Sequence, residues 1–392
     1  MKVLLIHQHF NTPASGGAIR SYYLAKALVD KGIETIVLTS SINPSQRVKS
    51  YEGIVIHSLS IPYDNKFGFL ARSWSFIKFV IGAILYARKI KGVDYCYAIS
   101  TPLTIGLIAI WLKIFRKIPF LFEVGDLWPE APIQMGFIQN YFLKEGLYWL
   151  EKSIYKSAHS IVALSPAIKT EIEKRVARKK IHLIPNFADC DFYKPSEKSS
   201  SLEIKFNTPG KFVVSYIGAI GLANGLDYFL ECANASRKAE LPIQFLICGD
   251  GALRERLIGN VQHFGLKNLT FIDFQTREGV REVMNVTDAA FICYKNLPVL
   301  ETGSPNKYFD GLAAGKLIIV NFGGWIKSEI EESACGIYVD PNHPTDFVKK
   351  ISAFLSDEAK LKQYQQAART LAEQKYSRKI LSNQFAKLFT SN

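Results

Sequence analysis

No two of the six cysteines in this 392-residue chain form a CxxC pair, and Cys96, Cys190, Cys232, Cys248, Cys293 and Cys335 keep no metal-ligand spacing. A disulfide-stapled scaffold and a structural zinc site are therefore excluded, and a reducing cytosol is the simplest home. No apolar run approaches the roughly 20 residues that a spanning helix needs. Residues 76–87 are interrupted by Lys78 and residues 103–112 stop short, so neither is expected to cross a bilayer. An apolar strand-like run starts at Val3, with no basic stretch before it and no small-residue cleavage site after it. No signal peptide is expected. No GxGxxG closely follows that run, which argues against a dinucleotide site, and no DxD-like acidic cluster ends a strand, so no protein-bound metal or cofactor is expected. Internal repeats and low-complexity tracts are lacking too.

What is in excess is positive charge. A net +13 implies attraction to polyanions: nucleic acid, anionic headgroups or phosphorylated small molecules. No nucleic-acid-binding motif accompanies it, so nucleic acid is the poorer partner. With 48% apolar and 21% charged residues the chain has material for two cores, and its length exceeds what one core usually covers.

Short β-branched runs alternate with helical periodicity at residues 3–6, 35–38, 54–57, 95–99, 120–122 and 161–164. A polar, turn-rich stretch over 189–209 reads as a linker. The alternation restarts at 212–217, 243–248, 269–272, 289–293, 317–320 and 337–339. This pattern predicts two α/β domains, each a parallel doubly wound sheet, with a helical tail that can return to the first. The expected boundaries are 1–190, 191–372 and 373–392. Ligands of such sheets sit beyond the carboxyl ends of the strands, so function is sought in the turns that follow them.

The first turn ends in Gly16, Gly17, Ala18, Ile19 and Arg20 before a helix, where glycines admit a phosphate and Arg20 can add a cationic donor. A tight strand-to-helix connection explains the glycines equally well. After the run at 120–122 come Glu123, Val124, Gly125, Asp126, Leu127, Trp128, Pro129 and Glu130. Strand-end carboxylates there suit proton transfer or hydroxyl binding, although Asp126 can also cap a helix and Glu130 suits a first turn. Densest is the stretch from Glu301 through Thr302, Gly303, Ser304, Pro305, Asn306 and Lys307 to Asp310. Ser304 as N-cap and Pro305 as first helical residue specify a helix start. Lys307 can face a diphosphate, and Asp310, one turn on, can accept two ribose hydroxyls. Asp310 near a helix start is otherwise a dipole contact of under about 1 kcal/mol.

The stretch 301–315 resembles the donor-binding helix of retaining glycosyltransferases of family four, whose acidic pair is spaced by seven residues. Asp310 matches the second acid; Thr302 stands at the first, with Glu301 one off register. Gly16-Gly17, Asp126-Leu127-Trp128-Pro129, Leu183-Ile184-Pro185-Asn186, Gly218 with Gly225, and Gly249-Asp250-Gly251 match in order. The usual Arg and Lys of the Gly218 to Gly225 turn are replaced by Ala219 and Asn224, which resembles the branch that builds bacterial surface polysaccharides.

The resemblance implies the GT-B fold, two facing Rossmann-like domains with a cleft between them, and retaining transfer from a nucleotide-sugar, UDP-linked, to a saccharide or lipid-linked acceptor. It implies Asp126, Lys307 and Arg20 as catalytic residues. Donor contacts fall to Gly16, Gly17, Gly218, Asn224, Gly249, Phe274, Glu301, Thr302, Gly303, Ser304, Pro305, Asn306 and Asp310; Glu123 and Trp128 fall on the acceptor side. Residues 72–117 hold eight Lys or Arg against Asp94 alone, interleaved with Trp74, Phe76, Phe79, Trp111 and Phe115. Such a face suits peripheral contact with an anionic membrane on the cytoplasmic side. A nucleotide-sugar epimerase and a non-catalytic membrane-recruited nucleotide-sugar-binding protein are the competing readings.

Overall fold

The computed structural model describes residues 1–15, 17, 19–41, 48–63, 67–177 and 179–390. Contacts divide the chain into two units: Met1–Pro185 with Thr302–Ser304 and Lys379–Asn392, and Asn186–Glu301 with Pro305–Arg378. The chain first leaves unit 1 after Pro185 and finally returns to it after Arg378.

Unit 1 runs β1 (Lys2–Ile6), α1 (Arg20–Val29), β2 (Glu34–Ser41), β3 (Val48–Tyr51), β4 (Ile54–Ser60), α2 (Phe69–Ala87), β5 (Tyr95–Ile99), α3 (Ile105–Arg116), β6 (Phe120–Val124), α4 (Glu130–Gln134), α5 (Tyr141–Ser157), β7 (Ser160–Ala163), α6 (Pro166–Arg175) and β8 (Ile181–Leu183). Its sheet has the order β3-β4-β2-β1-β5-β6-β7-β8, parallel except for β3 against β4. The winding reverses between β1 and β5. Strands covered on both faces read as continuous apolar runs, and β6 is buried at every residue. The short strands β3 and β8, largely exposed or half-buried, have no such run and escape the sequence pattern.

Unit 2 runs α7 (Ser200–Phe206), β9 (Phe212–Ile217), α8 (Asp227–Lys238), β10 (Ile243–Cys248), α9 (Arg254–Phe264), β11 (Leu269–Ile272), α10 (Arg277–Val286), β12 (Ala289–Ile292), α11 (Asn306–Ala313), β13 (Leu317–Val320), α12 (Gly324–Glu332), β14 (Gly336–Tyr338), α13 (Pro344–Leu355) and α14 (Glu358–Leu371). The all-parallel order β11-β10-β9-β12-β13-β14 reverses between β9 and β12. The Phe229 ring packs edge-on against Phe245 and Phe291 at 5.2 and 5.3 Å to fill the core on one side of the sheet.

The stretch expected as a linker is structured: it holds α7, and Lys198 pairs with Asp288. The last helix, α15 (Arg378–Thr390), leaves unit 2 at Arg378 and packs in unit 1, with Phe385 at 4.7 Å from the Tyr97 ring and Phe389 at 6.0 Å from Tyr95. α2 also departs from expectation. It has 19 residues, because Arg72 and Lys78 break the apolar run without breaking the helix, and it is long and apolar enough by composition to cross a membrane.

Candidate functional site

In unit 2 the carboxyl ends of β9, β10 and β11 are drawn together by backbone bonds from Gly218 N to Cys248 O (2.9 Å) and Gly249 N to Ile272 O (3.1 Å). Gly218 and Gly249 have φ of +151° and +147°, and a Cβ on Gly249 would stand 2.0 Å from Gly218 O. Only glycine allows these two turns to close on each other. The result is a flat backbone floor at the point where the strand order reverses, the usual place for a ligand in an open α/β sheet.

Lys307, in the first turn of α11, reaches over that floor. A Cβ on Gly218 would lie 3.2 Å from Lys307 Cε. Lys307 Nζ donates to the Tyr216 hydroxyl at 3.2 Å and stands 4.7 and 5.1 Å from the ring centroids of Tyr216 and Tyr294. Among the described residues no carboxylate pairs with it. Burial lowers its pKa to about 8, with Cys293 pulling the other way, so the ammonium is still mostly charged at neutral pH. A desolvated cation backed by aromatic faces at a helix start has the chemistry to hold an anion.

Asp310 follows one turn later and lines the same small cavity as Lys307, Ser215 and Val280. Burial pushes its carboxyl up to about 7, partly offset by Arg277 and reinforced by Asp189. Asp189 in turn accepts from Arg277 and, at 2.9 Å, from Arg378 Nη1, while the Arg277 guanidinium stacks 3.8 Å over the Phe192 ring. Pro305, not Ser304, occupies the N-cap of α11, and no side chain caps that end. The extended backbone of proline delays the helix by one residue and leaves Asn306 exposed at its start. Phe274, 65% exposed, projects from the turn after β11. Asn224 is buried, and its side-chain oxygen accepts from Gly221 N at 3.2 Å, so it shapes its own turn. The Glu301 carboxylate lies 3.0 Å from where a Cβ on Gly323 would stand, and a Cβ on Gly324, at the start of α12, would stand 2.7 Å from the Glu301 carbonyl oxygen. Thr302, Gly303 and Ser304 belong to unit 1, where Thr302 O accepts from the Ser165 hydroxyl.

Two expectations are overturned in unit 1. Arg20 was expected to meet a diphosphate and Glu123 an acceptor. Instead Arg20 Nε and Nη2 donate to the two oxygens of Glu123 at 3.1 and 3.0 Å, and the Tyr97 hydroxyl also donates to Glu123. Arg20 further donates to the carbonyls of Ile184 and Pro185, where the chain leaves the unit. Glu123 is 1% exposed. Both charges are consumed by each other, the arrangement a buried pair requires. Gly16 lies outside the described residues, and Gly17 precedes α1, with φ +77°, instead of opening it.

Asp126 remains available. It stands exposed at the carboxyl end of β6; partial desolvation raises its pKa, and a hydrogen bond from the Thr101 side chain opposes the shift. It does not cap α4, whose N-cap is Pro129. Trp128 is half-buried beside it, and Glu130 is engaged by Gln134 and the Tyr148 hydroxyl. His7 and His9, which the sequence reading passed over, lie in the turn after β1. Burial lowers their pKa values to about 3 and 4, His7 being further lowered by His9, and His7 Nδ1 is 2.9 Å from Ser21 Oγ. Tyr216 was also missed, although strand alternation puts it on the same side as Gly218, two residues on.

Residues 14–192 match the model of Glycosyltransferase Family 4, and residues 199–371 that of Glycosyl transferases group 1. The alpha-D-kanosaminyltransferase of Streptomyces kanamyceticus is 19% identical over 62% of this chain and 62% of its own length. A putative teichuronic acid biosynthesis glycosyltransferase of Bacillus subtilis, TuaH, is 26% identical over 58% of this chain and 56% of its own length. The chain thus spans about three fifths of these curated relatives. Among solved structures, sucrose-phosphate synthase from Thermosynechococcus elongatus superposes with a TM-score of 0.81 at 18% identity, covering 100% of this chain and 98% of that one. Anabaena HepE in complex with UDP and glucose gives 0.74 at 16% identity, with both chains fully covered. These likenesses are of fold: two Rossmann-like units in the GT-B manner.

Proposed function

Because the chain belongs to glycosyltransferase family four, both of its halves matching that family's two models, we propose that it transfers a sugar, with retention, from a UDP-sugar to a saccharide or lipid-linked saccharide in cell-surface polysaccharide synthesis. The observation that carries the reading is Lys307, a desolvated ammonium without a carboxylate partner among the described residues, set over the Gly218 floor at the reversal point of the unit 2 sheet. Support for a UDP donor comes from HepE, solved with UDP and glucose. Support for a surface polysaccharide comes from TuaH.

In this reading the diphosphate lies on the backbone floor against Lys307 and the first amides of α11, and Asp310 accepts the ribose hydroxyls. Phe274 offers an exposed ring to the base. As the bond from sugar to phosphate breaks, negative charge grows on the departing diphosphate, where Lys307 is already placed and needs no reorganisation. The acceptor hydroxyl attacks from the same face, and the leaving phosphate oxygen takes its proton. Positive charge comes from Lys307 and the helix start, so no metal enters the scheme. Asp126 and Trp128 serve the acceptor. The enzyme works at the cytoplasmic face of a membrane, in peripheral contact with anionic lipid.

A thermal-shift screen of UDP-, GDP- and dTDP-sugars tests the reading, because a ligand bound only by the folded state raises its melting temperature. A shift confined to UDP-sugars is expected. No shift with any nucleotide sugar would remove the donor site.

A further inference from the structure

The large exposed apolar side chains of unit 1 are concentrated on one set of helices. On α2, Leu70, Trp74, Ile77, Ile81 and Leu85 recur at steps of four, three, four and four, one face of a helix, and each is at least 45% exposed. The opposite stripe, Ser75, Phe79, Ala83 and Ala87, is buried. This corrects the expected basic aromatic face, since Phe79 belongs to the core and Phe76 stacks on Tyr63. A helix buried along one stripe in its own domain cannot be surrounded by lipid, which argues against spanning despite its length.

A second apolar element joins the first. The Arg72 guanidinium lies 6.0 Å from the Phe137 ring, and three residues further on Asn140 caps α5 by accepting from Leu143 N. α5 opens with Tyr141 and Phe142, 67% and 82% exposed, and carries Trp149, 72% exposed, two turns on. These aromatic residues lie outside the segment that the sequence marked.

Positive charge borders the stripe. Lys78 stands 5.6 Å from the Trp74 ring, and at the carboxyl end of α2 a shallow hollow is lined by Gly82, Leu85, Tyr86, Arg88 and Lys89. Arg88, Lys89 and Lys91 are exposed and have no carboxylate partner among the described residues. Arg116 and Lys113, by contrast, are occupied by backbone carbonyls of Ala87, Ile90 and Ser157. Apolar and aromatic side chains at the centre with free cations at the edge match an acidic bilayer surface, acyl chains below and phosphates above.

We propose that unit 1 inserts monotopically into acidic membrane: α2 lies flat in the interface with its apolar stripe below the headgroups, the aromatic start of α5 anchors one end, and Arg88 and Lys89 seat a lipid phosphate at the hollow. The inference rests on the membrane-borne acceptor proposed above, and adds which side chains enter the lipid and how the helix lies.

The full chain is floated with vesicles of phosphatidylethanolamine containing phosphatidylglycerol and with vesicles of phosphatidylcholine. Flotation with the acidic vesicles only is expected, partly released by salt. Arg88→Gln, Lys89→Gln and Lys91→Gln together should weaken partition at least tenfold, at roughly fivefold per cation. Trp74→Ser with Ile81→Ser, and separately Phe142→Ser, should reduce it at constant charge. Acyl-brominated lipid should quench tryptophan fluorescence, with most quenching lost in Trp74→Phe and Trp149→Phe combined. UDP-sugar thermal shifts should stay unchanged in every variant, so failure to float is separate from failure of the donor site. Indifference to lipid charge, absence of quenching, burial of the stripe in a homodimer seen by sedimentation, or retention after alkaline carbonate extraction, which would mean that α2 spans, would each overturn the proposal.

Discussion

The Lys307 ammonium and the Tyr216 phenol meet twice: the hydroxyl accepts from Nζ at 3.2 Å, and the ring lies 4.7 Å away at its centroid. One tyrosine therefore fixes the lysine by a charge-assisted hydrogen bond to a neutral acceptor and by a cation–π contact, without neutralising its charge. Tyr216→Phe should keep the ring and lose the hydroxyl. UDP affinity measured by calorimetry should fall by less than the about 1.5–3 kcal/mol of a hydrogen bond to a charged group, because the bond removed positions Lys307 and does not touch the nucleotide. A loss as large as that of removing Lys307 would mean that Tyr216 contacts the nucleotide itself.

Asp310 is held against its own preference. Its folded pKa of about 7 lies above the ordinary carboxylate value, so the ionised form costs stability as pH rises from the unfolded value toward 7. Asp310→Asn removes that cost and one acceptor together. The variant should melt higher than wild type at pH 8 while its affinity for a UDP-sugar drops sharply. A lower melting temperature with normal affinity would make Asp310 a packing residue only.

The same two shifts set a pH window. Donor binding that needs ionised Asp310 weakens as pH falls below about 7, and binding that needs protonated Lys307 weakens as pH rises above about 8. Calorimetric UDP-sugar affinity should therefore peak between these values. The alkaline limb should vanish in Lys307→Ala and the acid limb in Asp310→Asn. A flat profile from pH 6 to 9 would disconnect both groups from the donor.

Legibility in the sequence followed the range of the forces involved. The inner strands of unit 2 were readable, because a parallel strand buried on both faces needs a continuous apolar run and a turn at its end. The helix carrying Lys307 and Asp310 was readable from Ser304 and Pro305, to within one residue. What failed depended on distant partners. Arg20 and Glu123 are 103 residues apart, and only the adjacency of the α1 start to β6 joins them. Likewise, Lys78 looked like an interruption of an apolar run, whereas on a helix with one face outward it lies beside the stripe.

That buried pair yields its own prediction. Glu123→Ala leaves the Arg20 guanidinium buried and uncompensated, which should cost about 3–5 kcal/mol in urea unfolding. Arg20→Ala should be comparably destabilising, and neither should change UDP affinity in the molecules that remain folded. Loss of UDP affinity with an unchanged unfolding midpoint would return Arg20 to the donor site.

The most direct measurement is calorimetric titration of UDP into wild type and Lys307→Ala, with circular dichroism to verify the fold. Wild type should bind saturably. Loss of one charge-assisted contact should weaken binding by about 1.5–3 kcal/mol, roughly ten- to two-hundredfold, with the spectrum unchanged. Equal affinity in the two proteins would contradict the account, because the cation at the switch point would then have no nucleotide to hold.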